Sequence, residues 1–183
     1  PFLLREAVEH VHELSLEQHG CRVVQRVLAE AAAAGVGVGG AVGAILSSCD
    51  VAALSLQQYG NYAVQVALRH AEPADRSTLI DALLPSLVSL STSKFGSNVA
   101  EAALMNASPA QLDVARALVF GAQADESVLP ALMAHPFGNY VVQAVVRRLP
   151  AEARAESLAL VEARASDANF GRTILAQLAA EGA

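Results

Sequence analysis

Leu54-Ser-Leu-Gln-Gln-Tyr-Gly60-Asn-Tyr-Ala-Val-Gln65-Val-Ala-Leu68 decides the fold, because the chain repeats this stretch. An earlier copy reads Leu14-Ser-Leu-Glu-Gln-His-Gly20-Cys-Arg-Val-Val-Gln25-Arg-Val-Leu28, and a later one Leu90-Ser-Thr-Ser-Lys-Phe-Gly96-Ser-Asn-Val-Ala-Glu101-Ala-Ala-Leu104. His135-Pro-Phe-Gly138-Asn-Tyr-Val-Val-Gln143-Ala-Val-Val146 is a fourth, and Asn169-Phe-Gly171-Arg-Thr-Ile-Leu-Ala-Gln-Leu178 a weaker fifth. The anchor glycines at 20, 60, 96, 138 and 171 are spaced by 33 (171 less 138) to 42 (138 less 96) residues, a period that signals a repeat architecture.

After each glycine the apolar residues follow helical spacing, as in Val23, Val24, Val27 and Leu28, so the glycine opens an amphipathic helix. Further helical patterns cover residues 2–14, 42–54, 77–90, 112–118 with 128–133, and 151–165. Strand-like alternation is absent. A unit of this length holds two helices, and helix pairs that bury their apolar faces against their neighbours form an α-solenoid. The expected fold is therefore all-α, a curved array of stacked repeats near 1–34, 41–71, 75–107 and 110–149 with a terminal capping repeat at 150–183. The low-complexity run 31–40 is expected to be a flexible connection, and 121–127 a loop.

Composition agrees with helix-on-helix packing: of the 183 residues, 54% are hydrophobic but only 4% aromatic and 16% charged. Twelve Lys and Arg against eighteen Asp and Glu leave a net charge of −6, which supplies no overall attraction to nucleic acid or an anionic membrane, so such binding requires a local basic patch. Cys21 and Cys49 cannot make a disulfide framework, which points to a reducing compartment. No apolar run is long enough to span a membrane.

The sequence predicts no catalytic residue, metal ligand, cofactor or small-molecule substrate. His10, His12, His19, His70 and His135 are scattered, and no G-x-S-x-G elbow is present. Gly35-Val-Gly-Val-Gly-Gly40 matches a dinucleotide fingerprint only formally: no strand precedes it and no acidic residue follows about 20 positions on.

What varies within the repeated helix is the polar residue one, two and five places after the glycine. These positions hold Cys21, Arg22 and Gln25; Asn61, Tyr62 and Gln65; Ser97, Asn98 and Glu101; and Asn139, Tyr140 and Gln143. The first and last of each set are i and i+4, neighbours on one helix face, and the middle one projects beside them. Each repeat is thus expected to present two polar side chains and one planar group, lined up along one concave surface. An isolated Tyr62 would be core packing and an isolated Asn139 a cap, but neither reading explains the same three variable positions in four helices. Single-stranded RNA suits the pattern, because its unstacked bases lie on aromatic or guanidinium planes and offer their edges to polar side chains. Tyr62, Tyr140 and Arg22 provide planes, and Asn98 a smaller one. Glu101, acceptor-only when ionised, favours the adjacent donors of guanine.

These segments resemble the Pumilio (PUF) RNA-binding repeats over almost the whole chain. In order, the four helices resemble the last four of the family's eight repeats, and Gly171-Arg-Thr-Ile-Leu-Ala-Gln-Leu its terminal cap. The resemblance implies that Cys21 with Gln25 reads adenine, Asn61 with Gln65 and Asn139 with Gln143 read uracil, and Ser97 with Glu101 reads guanine. It also implies that Arg22, Tyr62, Asn98 and Tyr140 stack, and that the RNA runs antiparallel to the protein, for a core of 5′-UGUA-3′. It further implies a non-enzymatic, cytoplasmic regulator bound to mRNA untranslated regions, with protein co-regulators on the convex face or the 121–127 loop. With four reading repeats and an opening Pro1, the chain is expected to be the C-terminal half of a longer domain. Arg22, Arg26, Arg69, His70, Lys94, Arg147 and Arg148 are expected to form a basic face on the acidic body. The acidity and the short array sustain a second reading, a helical-repeat scaffold for protein partners with weak or non-specific RNA binding.

Overall fold

The glycine-led helices form where the sequence places them, and each of the first four is preceded by a short helix, which the apolar spacing separates from its predecessor only in the fourth repeat, at 128–133. The structure is a computed structural model that describes residues 2–48, 50–121 and 126–180. The first repeat contains α1 (Phe2–Glu9), α2 (Val11–Leu16) and α3 (Gly20–Ala33); the second, α4 (Gly39–Ser48), α5 (Val51–Ser55) and α6 (Gly60–His70). Then come α7 (Pro73–Leu83), a 3₁₀ turn at Leu84–Ser86, α8 (Leu87–Ser91) and α9 (Gly96–Asn106), followed by α10 (Pro109–Phe120), α11 (Val128–Ala134) and α12 (Gly138–Arg148). The chain closes with α13 (Ala151–Glu162) and α14 (Gly171–Ala180). Every regular element among the described residues is helical.

The expected two-helix unit is thus corrected to three helices in each of the first four repeats. Ala7, Val11 and Ser15 are all buried at i+4 spacing, so the apolar stripe runs unbroken across the bend at His10 between α1 and α2. Later breaks carry local signals. The Asp50 carboxylate accepts from the N–H groups of Ala52 (2.9 Å) and Ala53 (3.3 Å), an N-cap that restarts the chain as α5. Ser108 and Gln111 form a reciprocal capping box, with Pro109 at the first helical position, that starts α10 ahead of the expected residue 112.

The run 31–40 is also corrected. Alanine has the highest helix propensity, so α3 continues to Ala33, and Gly35 ends it at φ 71° in the left-handed region. The N–H of Val36 donates to Ala31 O at 2.8 Å and that of Gly35 to Ala32 O at 3.0 Å, a Schellman cap, and α4 begins at Gly39. Of the expected loop 121–127, residues 122–125 lie outside the described residues.

Two compact units emerge, residues 1–83 and 84–183, so the boundary falls inside the segment read as the third repeat. In the first unit α3 packs on α6, and α4 packs on α1 and α7. Its core is Val24, Leu28, Ile45, Val64, Leu68, Leu79 and Ile80, each at most 1% exposed. In the second unit α12 packs on α9, α11 and α14, burying Leu90, Val99, Leu104, Met133, Val141, Val145 and Ile174. Burying one such side chain contributes about 1.5–3 kcal/mol, so these apolar faces, rather than polar pairing, hold the repeats together.

Candidate nucleic-acid interface

Three of the four reading helices, and the terminal glycine helix α14, start where the anchor glycine allows a close approach. A Cβ on Gly20 would lie 2.4 Å from Leu14 O, one on Gly60 2.5 Å from Leu54 O, one on Gly138 2.9 Å from Leu132 O and one on Gly171 2.3 Å from Ala165 O. The same carbonyl six residues back is the obstacle each time, so the helices dock in one register. The turn amides find side-chain acceptors in the third and fourth repeats. Ser93 Oγ accepts from the N–H groups of Phe95 (3.3 Å) and Gly96 (3.1 Å), and His135 Nδ1 from those of Phe137 (3.2 Å) and Gly138 (3.3 Å).

The residue one place after the glycine is enclosed in every reading repeat: Cys21 is 3% exposed, Asn61 1%, Ser97 4% and Asn139 2%. This departs from the expected open display of two polar groups per repeat, and the reason is that these side chains also clamp the turn. Asn61 Nδ2 donates to Gln57 O (2.8 Å) and Gln58 O (2.9 Å), Asn139 Nδ2 to His135 O and Pro136 O (both 3.0 Å), and the Cys21 thiol to Gln18 O (3.3 Å).

The i, i+4 pairing follows the sequence. Gln65 Nε2 donates to Asn61 Oδ1 at 3.0 Å, Gln143 Nε2 to Asn139 Oδ1 at 3.3 Å, and Gln25 Nε2 to the backbone Cys21 O at 3.0 Å. Gln25, Gln65 and Glu101 are half-buried, whereas Gln143 is fully buried. No hydrogen bond ties Glu101 to Ser97 among the described residues. Burial raises the Glu101 carboxyl above its ordinary value, and the Arg147 guanidinium opposes the shift.

The residue two places after the glycine is the outward one. Tyr62 and Tyr140 are each 47% exposed despite their size, and Arg22 and Asn98 are exposed as well. Within the first unit the α3 and α6 sets stand on adjacent helices, as do the α9 and α12 sets within the second.

The residues expected to form a basic face have separate surroundings. Arg22, Arg69 and His70 are exposed, Arg26 pairs with Glu30 at 2.9 Å, and the Lys94 ammonium lies 5.6 Å from the Phe95 ring centroid. Arg147 Nη2 donates to Gln143 Oε1 at 2.9 Å, and Arg148 Nη2 to Ala107 O at 3.4 Å.

Sequence reading missed the turn acceptors Ser93 and His135, although both stand three residues before the anchor glycine, where a side chain reaches the first helical amides. It also missed the grouping of Glu6, Glu9 and His10, whose ligand-type atoms lie within 4.8 Å of one another. Spacing at i, i+3 and i+4 is the signal that could have found it. These side chains are engaged with other neighbours: Arg5 lies 3.6 Å from Glu6 and 3.8 Å from Glu9, and His10 lies 3.4 Å from Glu13.

Fold and site together define a helical-repeat binding module that displays one planar side chain per repeat beside one buried polar residue and a second polar residue four places on. The Pumilio-family RNA binding repeat model matches residues 10–33, 50–84, 86–114 and 130–156, and the chain belongs to that family. Pumilio repeats bind rather than catalyse. The chain is 31% identical over 157 residues to a Pumilio domain-containing protein of Schizosaccharomyces pombe, covering 85% of this chain and 22% of that protein. It is 28% identical over 159 residues to Fem-3 mRNA-binding factor 1 of Caenorhabditis elegans, covering 75% of this chain and 26% of that one. Among solved structures, PUF-8 in complex with PBE-RNA superimposes with a TM-score of 0.77 at 26% identity, over 97% of this chain and 51% of that one. The Puf3 RNA binding domain bound to a Cox17 RNA 3′ UTR site gives 0.78 at 24% identity, over 98% of this chain and 50% of that one. The chain therefore spans about a quarter of the curated relatives' length and about half of these solved chains.

Proposed function

We propose that this chain binds single-stranded RNA by base sequence, with a core of 5′-UGUA-3′, and acts in the cytoplasm on mRNA untranslated regions. The carrying observation is that polar chemistry changes at fixed helix positions while the turn, the glycine docking and the apolar core around them stay constant. A scaffold that bound one protein surface would place no such demand on three positions per repeat.

The hydrogen-bond inventory matches the bases. Asn61 spends both N–H groups on the turn and accepts from Gln65, which leaves the pair with Gln65 Oε1, one Gln65 N–H and the second lone pair of Asn61 Oδ1. A uracil edge can use two of these groups, its N–H donating to Gln65 Oε1 and one flanking carbonyl oxygen accepting from the remaining Gln65 N–H. Gln25, its Nε2 anchored to the backbone, keeps an acceptor and one N–H, which fit the amino group and ring nitrogen of adenine. Ionised Glu101 offers two acceptor oxygens for the adjacent donors of guanine. Tyr62 and Tyr140 provide stacking planes, each contributing about 1–3 kcal/mol per base. The PUF-8 structure, at 26% identity, is a complex with RNA, which supports the same ligand class here.

Fluorescence anisotropy with labelled RNAs carrying UGUA, UUUA or ACAA, at two salt concentrations, tests the reading. UGUA is expected to bind best, and the double variant Ser97→Asn with Glu101→Gln to move the preference at the second base from G to U. A double variant that still prefers UGUA over UUUA overturns the base assignment. Equal binding of UGUA and ACAA by the unaltered chain would leave RNA binding without a code, and no RNA binding would favour the scaffold.

A further inference from the structure

The guanidinium of Arg147 connects two readers that the base assignments treat as independent. Arg147 lies one helical turn beyond Gln143 on α12 and donates to Gln143 Oε1 at 2.9 Å, while Gln143 Nε2 donates to Asn139 Oδ1 at 3.3 Å. The Gln143 amide is held at both ends, and its orientation is fixed with the carbonyl toward the arginine. This arrangement is special to the fourth repeat. Gln65 makes the equivalent bond to Asn61, but Arg69, which stands to Gln65 as Arg147 stands to Gln143, is exposed and makes no such bond. Gln143 is correspondingly 0% exposed, whereas Gln65 is only half-buried.

Helix α12, which carries Arg147, packs on α9, which carries Glu101. The charge of Arg147 favours the ionised form of Glu101, against the effect of burial. The elements around Glu101 hold few other charges: α9 has none besides Glu101 itself, and α8, which packs on α9, has none. On α12 the second cation is Arg148, whose Nη2 faces Ala107 O. Gln143 is enclosed in the free chain, so a base must open the site to reach it; once reached, its Oε1 has a second lone pair and can accept from a base N–H while it accepts from Arg147.

We propose that Arg147 is a positioning residue that couples the reading of two adjacent bases, fixing the Gln143 amide for the first uracil and setting a positive charge against Glu101 at the guanine position. This rests on the RNA-reading function proposed above. It predicts that the two base preferences are lost together when one side chain outside the reading positions is changed.

The test compares Arg147→Met, which keeps an apolar stem without charge or donors, with Arg147→Lys, which keeps the charge but not the planar fork. Anisotropy is read with UGUA, UUUA and CGUA across a pH series, and circular dichroism checks that each variant is folded. In Arg147→Met the preference for G over U at the second base and for U over C at the first are each expected to fall about tenfold, the scale of one charge-assisted hydrogen bond. Arg147→Lys is expected to recover the guanine preference and only part of the uracil preference. A second readout needs no RNA: the ¹³C carboxyl signal of Glu101 should titrate at higher pH in Arg147→Met than in the unaltered chain, and near the original pH in Arg147→Lys. An arginine that only contacts phosphate would weaken all three RNAs equally and reduce the salt dependence. Equal weakening, with an unmoved Glu101 titration, overturns the coupling while leaving the RNA reading intact. An unaltered chain that fails to prefer UGUA overturns both.

Discussion

Replacing Gly60 by alanine should cost stability, whereas the same change at Gly43 should add it. Gly60 is buried at the start of α6, and its new Cβ would meet the Leu54 carbonyl oxygen and Leu54 Cδ1, both at 2.5 Å. Reaching ordinary contact at 3.4 Å requires about 0.9 Å of displacement (3.4 less 2.5), and the backbone carbonyl of α5 cannot yield as a side chain can. Overpacking of this kind costs about 1–3 kcal/mol. The helix propensity gained on replacing glycine offsets at most about 1 kcal/mol. A net loss of about 1–2 kcal/mol is expected, which lowers Tm by about 2–8 °C in a chain of this size. Gly43 is exposed within α4 and an added Cβ meets nothing within 4 Å, so alanine there is expected to add about 0.5–1 kcal/mol. Both positions lie in the first compact unit, so thermal and urea unfolding followed by circular dichroism compare like with like. A neutral Gly60→Ala, or shifts of the same sign at both sites, would refute the close-docking account of the anchor glycines.

The buried serines five residues before the first three glycines should respond differently. Ser55 Oγ donates to Val51 O at 2.7 Å, so Ser55→Ala is expected to lose about 1 kcal/mol, whereas the buried Ser15 hydroxyl has no partner among the described residues and Ser15→Ala should be neutral or stabilising in urea melts. Because the folded protein holds the Glu101 carboxyl above its unfolded value, stability contributed at this site is full below the ordinary carboxylate range and declines as pH rises through the raised value. Glu101→Gln should remove that part of the pH dependence of unfolding, and it should also abolish a guanine preference that otherwise grows as the carboxyl ionises. Tyr62→Ala should weaken UGUA binding about tenfold with little change in Tm, since nearly half of the ring surface is in solvent, at 47% exposure. A large loss of Tm would assign Tyr62 to packing instead.

The glycine helices were legible because two constraints act on them at every repeat. The anchor glycine must clear a backbone carbonyl, and the residues after it must fill one apolar face, so both recur in the sequence. The short helix of the first repeat was not separable, because Ala7, Val11 and Ser15 keep one stripe across a bend that leaves no mark in apolar spacing, whereas that of the fourth repeat was marked off at 128–133. The polar positions after each glycine were found by their variation, but their burial was not. Asn61 and Asn139 each turn one end of the amide toward the preceding turn and the other toward a glutamine, a division of labour set by three-dimensional proximity.

Sequence alone therefore determined the helical class, the register of the repeats and the residue types offered to a ligand, because these follow from period, propensity and side-chain chemistry. Tertiary structure decided which polar groups remain accessible, where a carboxyl is kept from solvent, and that Arg147 joins Gln143 to the field at Glu101. The physical reason is that burial and charge coupling depend on distances between helices, and the charge of residue 147 acts on residue 101 only when α9 and α12 pack.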